Sequence, residues 1–231
     1  MIDFDAFDAL TFDCYGTLID WETGLLAALR PVLTAHGADS GDEALLERFA
    51  RHEAALEAGP YLRYAEVLSR ALDGIGEELG FTPTEAERTA FGRSVADWPP
   101  FPDSPQALAR LQQRFRLGVI TNCDDDLFAD SRRRLGVDFD MVVTAEQARG
   151  YKPRTENFEL AFARLDLPRE RVLHVAQSLF HDHVPAKALG MTTVWVDRRQ
   201  GRAGGGATPP ADAEPDLTVP DLASLAALVE G

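Results

Sequence analysis

The chain has 231 residues, of which 45% are hydrophobic and 26% charged, an ordinary profile for a globular protein able to bury a substantial core. Its 38 acidic residues outnumber its 23 basic ones and give a formal charge of −15, which argues against nucleic acid or an anionic membrane surface as a partner. No run approaches the ~18 apolar residues of a membrane span, and the acidic opening Met1-Ile2-Asp3-Phe4-Asp5 is unlike a signal peptide. Cys14 and Cys123, the two cysteines, lack metal-ligand spacing, and a reducing cytoplasmic setting is expected.

In chain order, the first element is the apolar run Ala9-Leu10-Thr11-Phe12, read as a buried strand. Asp13 follows it, and Gly16 turns the chain. Helical spacing then takes over in Leu25-Leu26-Leu29, Leu45-Leu46-Phe49 and Tyr61-Tyr64-Val67-Leu68-Ala71-Leu72. Gly74, Gly76 and Gly80 weaken that last pattern, and Thr82-Pro83-Thr84-Glu85 reads as a new helix start. No strand is expected between Trp21 and Trp98.

Trp98-Pro99-Pro100-Phe101-Pro102 is a rigid connector, after which strands and helices alternate. Strands are expected at Leu117–Ile120, Met141–Val143, Val172–Val175 and Thr192–Val196, with helices around Leu108, Leu127–Leu135, Phe158–Leu165 and before Leu189. This alternation predicts a parallel α/β sheet with helices on both faces. The Gly/Ala/Pro-rich stretch from Gln200 to Pro215 reads as a mobile loop, and Leu222–Leu228 as a closing helix. Residues 1–18 and 98–231 then form an α/β core, and residues 19–97 a helical insertion placed to act as a lid.

Four polar signals follow successive strands: Asp13 with Thr17, Thr121-Asn122, Lys152-Pro153, and Asp182 within His181-Asp182-His183. Parallel strands deliver their C-terminal ends to one edge, so these residues should converge there. Blander roles exist for each. Thr121 and Asn122 also suit a helix cap, Asp182 an N-cap, and Lys152 a solvated loop. Cys14 reads as a small buried residue.

With these signals in order and a helical insertion after the first, the chain resembles the haloacid dehalogenase superfamily over essentially its whole length. The segment DCYGTL is similar to the L-2-haloacid dehalogenase branch, whose first motif reads Asp-x-Tyr-Gly-Thr, whereas the phosphatase branch carries Asp-x-Asp. The resemblance implies a Rossmann-like core with a helical cap, and a homodimer. It also implies a small carboxylic acid as substrate and an ester formed on Asp13.

Lys152 is then expected to hold Asp13 ionised, Thr17 to fix its rotamer, and Asp182 to orient or deprotonate water. The amides of Cys14 and Tyr15, with Thr121, would bind the substrate carboxylate, and Asn122 would help receive the halide. Arg51 is the expected cap arginine, with Arg63 the second choice.

Tyr15 stands where a phosphatase keeps its second acid. A phenol with a pKa near ~10 is a poor proton donor at neutral pH, which argues against phosphoryl transfer. No cofactor is expected, although Asp13, the Tyr15 carbonyl and Asp182 could offer oxygens to Mg²⁺. Two departures leave the substrate open. Phe158 replaces a tyrosine of the branch, and Ala176-Gln177-Ser178-Leu179-Phe180-His181-Asp182 departs from its Ser-Ser-Asn-x-x-Asp motif. Ser178 falls in this altered segment beside the site. An inward His181 or His183 could protonate a poorer leaving group, as in opening a strained ring such as azetidine-2-carboxylate. A Mg²⁺-dependent phosphatase and a non-catalytic binding protein are the remaining alternatives.

Overall fold

The computed structural model describes residues 2–200 and 206–231. Its centre is one sheet of six strands: β1 (Ala9–Phe12), β2 (Arg116–Thr121), β3 (Met141–Thr144), β4 (Val172–Ala176), β5 (Thr192–Val196) and β6 (Leu217–Val219). All neighbours pair in parallel, in the order β3-β2-β1-β4-β5-β6. Every residue of β1 and β4 is buried, which explains why both read as mainly apolar runs rather than alternating ones, each with one polar residue, Thr11 and His174. The strand order reverses at β1, so its C-terminal end is the switch point where open α/β sheets receive ligands.

Between β1 and β2 the chain builds four helices: α1 (Trp21–Ala35), α2 (Asp42–Glu57), α3 (Tyr64–Leu79) and α4 (Glu85–Arg93). Their apolar stripes, including Leu25, Leu29, Phe49, Val67, Leu72 and Phe91, pack into a shared core. The Thr84 signal is a capping box. The Thr84 hydroxyl accepts from Glu87 N–H at 3.2 Å, and the Glu87 carboxylate accepts from Thr84 N–H at 2.6 Å. Helix α3 continues through Gly74, where the His52 ring packs so closely that a Cβ would lie 2.3 Å from it. Packing between α2 and α3 thus overrides the low helix propensity of glycine.

The two links to this insertion lie side by side. Asp20 N–H donates to Pro99 O at 2.8 Å, and Phe101 N–H donates to Leu18 O at 3.0 Å. A third tie is polar. The carboxylate of Asp124, just beyond β2, accepts from Tyr64 N–H at 3.0 Å and Ala65 N–H at 3.1 Å, which holds the first turn of α3 against the sheet edge.

The remaining helices are α5 (Ser104–Leu111), α6 (Asp125–Leu135), α7 (Ala145–Ala148), α8 (Glu156–Leu165), α9 (Val184–Ala188) and α10 (Leu222–Glu230). Strand β6 is absent from the sequence reading, since three residues carry no usable periodicity. Of the expected mobile loop Gln200–Pro215, residues 201–205 lie outside the described residues. Ala207 and Thr208, by contrast, are buried, and Ala207 N–H donates to Glu22 Oε1 at 3.1 Å. That part is packed rather than free. Among the described residues no helix is long and apolar enough to cross a membrane.

Candidate active site

Asp13 is the first residue past β1, and its N–H extends the ladder by donating to Val175 O of β4 at 3.1 Å. Gly16 then adopts φ +93°, a left-handed conformation that side chains resist, and this swings Thr17 back toward the carboxylate. Thr17 Oγ1 donates to Asp13 Oδ2 at 2.7 Å and accepts from Gln177 N–H at 2.9 Å. One hydroxyl therefore fixes the Asp13 rotamer and ties it to the segment after β4.

Lys152 is almost fully buried and spends all three ammonium protons locally. Its Nζ donates to Asp13 Oδ1 at 2.9 Å, to Asp182 Oδ1 at 2.7 Å and to Ile120 O at 2.8 Å. It does not follow a strand directly, because the short helix α7 intervenes after β3. Asn122 compensates by gripping its backbone: Asn122 Oδ1 accepts from Lys152 N–H at 2.7 Å and Nδ2 donates to Lys152 O at 3.0 Å. Burial alone would lower the Lys152 pKa, but the two carboxylates outweigh it and keep the amine charged.

The two aspartates respond differently to the shared cation. Burial pushes Asp13 above its ordinary value despite the opposing pull of Lys152, and the Asp182 charge adds to the rise. Burial also acts to raise Asp182, but Lys152 and a hydrogen bond from His174 prevail and hold it well below the carboxylate range. Asp182 is thus the firmly ionised partner, and Asp13 the more basic one.

His174 was not foreseen as part of the site. It sits inside β4, with Nε2 3.0 Å from Asp182 Oδ1 and Nδ1 2.9 Å from Thr11 Oγ1. A proton on Nε2 donated to Asp182 leaves Nδ1 to accept from the threonine hydroxyl, which satisfies the ring. The sequence signal was a polar residue within the apolar run Val172–Ala176, paired across the sheet with Thr11 of β1.

Asp182 lies in a single π-helical turn, Leu179–His183, of the kind often found at functional sites. Ser178 starts the turn and accepts from His181 N–H at 2.9 Å. The turn sends its two histidines different ways. His181 enters the cavity over Asp13, where burial pushes its pKa down to about 4 and leaves it neutral near pH 7. His183 is buried against the backbone, with Nε2 2.9 Å from Ala176 O, and does not line that cavity.

The cavity is lined from the sheet side by Asp13, Tyr15, Asn122, Lys152, Ser178 and Asp182, and Thr208 also reaches it. Trp21, Glu53, Glu57 and Tyr64 close it from the helical insertion. Tyr15 is wedged edge-on to Trp98 at 5.5 Å, its hydroxyl 3.0 Å from Ser131 Oγ, and burial lifts its pKa well above 10. It is no proton donor at neutral pH.

The expected cap arginine is corrected. Arg51 is exposed on α2 and pairs with Glu78, because its position points that turn of the helix toward α3 instead of the cavity. Arg63 stays outside as well, engaged by Asp124, Asp126 and Glu146. Two glutamates take the cap side of the cavity instead. Two further expectations change place. Phe158 is buried in α8 with its ring 5.2 Å from His174 and supports that residue rather than lining the cavity. The Cys14 side chain lies in the apolar core, in line with its reading as a small buried residue. The Thr121 hydroxyl is buried at the end of β2 without a hydrogen-bond partner among the described residues.

The model of the haloacid dehalogenase-like hydrolases matches residues 7–188, a span that holds every one of these strand-end groups. The chain belongs to this family. It is 27% identical over 228 residues to haloacetate dehalogenase H-2 of Moraxella sp. (strain B), with 96% of this chain and 97% of that protein covered. It is 24% identical over 219 residues to an (S)-2-haloacid dehalogenase of Pseudomonas fluorescens, covering 93% and 92%. Its fold matches the L-2-haloacid dehalogenase of Xanthobacter autotrophicus with a TM-score of 0.81 at 24% identity, over 97% of this chain and 99% of that one.

Within this haloacid dehalogenase-like hydrolase, the oxygens considered for Mg²⁺ are partly engaged, while Oδ2 of Asp182 is buried without a hydrogen-bond partner among the described residues. Lys152 already takes Oδ1 of both Asp13 and Asp182. Among the described residues, no group of three or more His, Cys, Asp or Glu side chains is arranged to hold an ion.

Proposed function

We propose that this protein hydrolyses a small 2-substituted carboxylic acid by displacing the substituent from carbon 2, through an ester on Asp13 and without metal. The observation that carries this reading is Lys152 Nζ, held between Asp13 Oδ1 and Asp182 Oδ1 at 2.9 and 2.7 Å, with the non-acidic Tyr15 two residues after the nucleophile.

Asp13 attacks carbon 2 in line with the leaving group, the carbon–substituent bond breaks, and configuration at that carbon inverts. Lys152 and Thr17 hold the attacking carboxylate ionised and oriented. Water then adds to the Asp13 carbonyl carbon. Asp182, kept ionised by Lys152 and His174, orients this water by accepting a hydrogen bond from it, and the proton the water loses passes to the departing alcohol oxygen. The product alcohol leaves and Asp13 is regenerated. A halide is the simplest leaving group, since it departs as a stable anion.

The test is turnover of chloroacetate, L-2-chloropropionate, azetidine-2-carboxylate and p-nitrophenyl phosphate with and without Mg²⁺. Substituent release without metal, lost in Asp13→Asn, is the expected result. In ¹⁸O-water a single turnover should place the label in the peptide containing Asp13. Phosphate release that requires Mg²⁺, with no turnover of the carboxylic acids, would overturn the reading.

A further inference from the structure

An in-line displacement from the sheet edge sends the leaving group toward the cap, so the groups on that side decide which substituents can depart. Here the cap side carries two carboxyl groups, Glu53 and Glu57, one helical turn apart on the same face of α2. Both are buried, and the arginines of the neighbourhood are committed elsewhere. Two acids at this place suit a departing anion badly unless one of them carries a proton to give.

The two are not equivalent. Glu53 is tied back within the cap, its Oε1 accepting from the Tyr64 hydroxyl at 2.6 Å. Glu57 reaches across the cavity to the sheet side. Its Oε2 accepts from Asn122 Nδ2 at 3.3 Å and lies 3.9 Å from His181 Nε2. We propose that Glu57 is the proton donor to the leaving group, which admits substrates whose substituent leaves through nitrogen or oxygen as well as halides. This deepens the proposed function and rests on Asp13 acting as the nucleophile.

The surroundings agree. Burial, reinforced by the Glu53 charge, pushes the Glu57 carboxyl well above its usual range, with Lys152 and Asn122 pulling against it. Burial lifts Glu53 to about 8, against the pull of the Tyr64 hydroxyl. His181, the rival donor, is held neutral near pH 7.

The step balances without a further reagent. Asp13 forms the carbon–oxygen bond, and the carbon–heteroatom bond breaks with its electron pair going to oxygen, or to the nitrogen of a ring bound as the neutral amine. Glu57 supplies the proton and becomes a carboxylate. The proton released when water hydrolyses the ester restores it. A strained ring is the simplest such substrate, since the leaving atom stays tethered.

The experiment compares kcat/KM for oxirane-2-carboxylate and azetidine-2-carboxylate with that for L-2-chloropropionate, in the native enzyme and in Glu57→Gln and Glu57→Asp. The expected result is native turnover of at least one ring substrate. Glu57→Gln should then lose roughly 10²-fold or more of that activity, a loss at least tenfold greater than its loss on the chloride. Glu57→Asp, which keeps an acid, should recover part of the ring opening. The ring-opening rate should also fall at alkaline pH with the titration of a carboxyl set among Glu53, Tyr64, Tyr151, Lys152, His181 and Asp13, and this limb should vanish in Glu57→Gln.

Equal losses on both leaving groups would mark Glu57 as structural and overturn the proposal. Halide displacement through labelled Asp13 with no ring opening overturns this inference alone. Absence of the Asp13 ester overturns the reading beneath it as well.

Discussion

His174 Nε2 lies 3.0 Å from Asp182 Oδ1, with both side chains fully buried. The imidazole anchors the carboxylate that the proposed mechanism uses to orient water, and it draws its own orientation from Thr11 on the neighbouring strand. His174→Leu should therefore lower kcat tenfold or more while costing roughly 1–3 kcal/mol of stability through the lost hydrogen bond to the Asp182 carboxylate, which keeps Lys152 as its partner. Single-turnover kinetics should place the defect in hydrolysis of the ester rather than its formation. Accumulation of intact ester on Asp13, read by mass spectrometry, checks this; an unchanged rate of ester hydrolysis would refute it.

Thr17 holds Asp13 and Gln177 through one hydroxyl. Thr17→Val keeps the shape and removes both bonds. A hydrogen bond to a charged group is worth about 1.5–3 kcal/mol, so kcat/KM should fall roughly ten- to a hundredfold. Thr17→Ser should restore most of it. A valine variant as active as the native enzyme would remove Thr17 from the account.

In the proposed mechanism the raised Asp13 pKa sets the acidic limit of catalysis. Since only the carboxylate attacks, kcat/KM should rise with pH through a value above the ordinary 3.8, with burial as the main cause. A pH–rate profile in which activity persists unchanged down to pH 4 would contradict this.

Glu53 links folding stability to pH with the opposite sign from a paired carboxylate. Its folded pKa of about 8 exceeds the unfolded 4.5, so the folded state binds the extra proton between these values. Stability is then greatest at the acidic end of the window and falls as pH rises through it, by up to about 1.4 kcal/mol per pH unit. Glu53→Gln should reduce the slope of Tm against pH between about 5 and 8, leaving the part carried by the raised Glu57 and Asp13 carboxyls. A slope unchanged in this variant assigns the linkage elsewhere.

Arg51 pairs with Glu78 on the surface. Arg51→Ala should change kcat/KM less than about twofold and stability by no more than about 1 kcal/mol. A large rise in KM would return this residue to the site.

The strands and the groups beyond them were legible because buried parallel strands print mainly apolar runs, and Asp13, Lys152 and Asp182 interrupt or follow them in sequence. Thr84 gave its helix start through the capping box. The cap's inward face was not legible. Arg51 and Glu53 are two residues apart on α2, and rotation of the helix about its axis, fixed by packing against α1 and α3, decides which of them meets the cavity. His174 escaped because a lone polar residue in a strand looks like any satisfied core histidine until Thr11 and Asp182 are placed around it. Thr208 lay in a stretch whose composition suggested a loop, and its burial comes from contacts distant in sequence.

Asp124 touches neither the nucleophile nor the cavity, yet its two hydrogen bonds to the first turn of α3 set where the roof sits over the floor. Alignment of the reacting groups is therefore a property of a joint rather than of the pocket. A misplacement of 1 Å can cost about a hundredfold in rate. Slack in that joint would blur the geometry of every residue above Asp13 at once, with each of them still present and correctly folded.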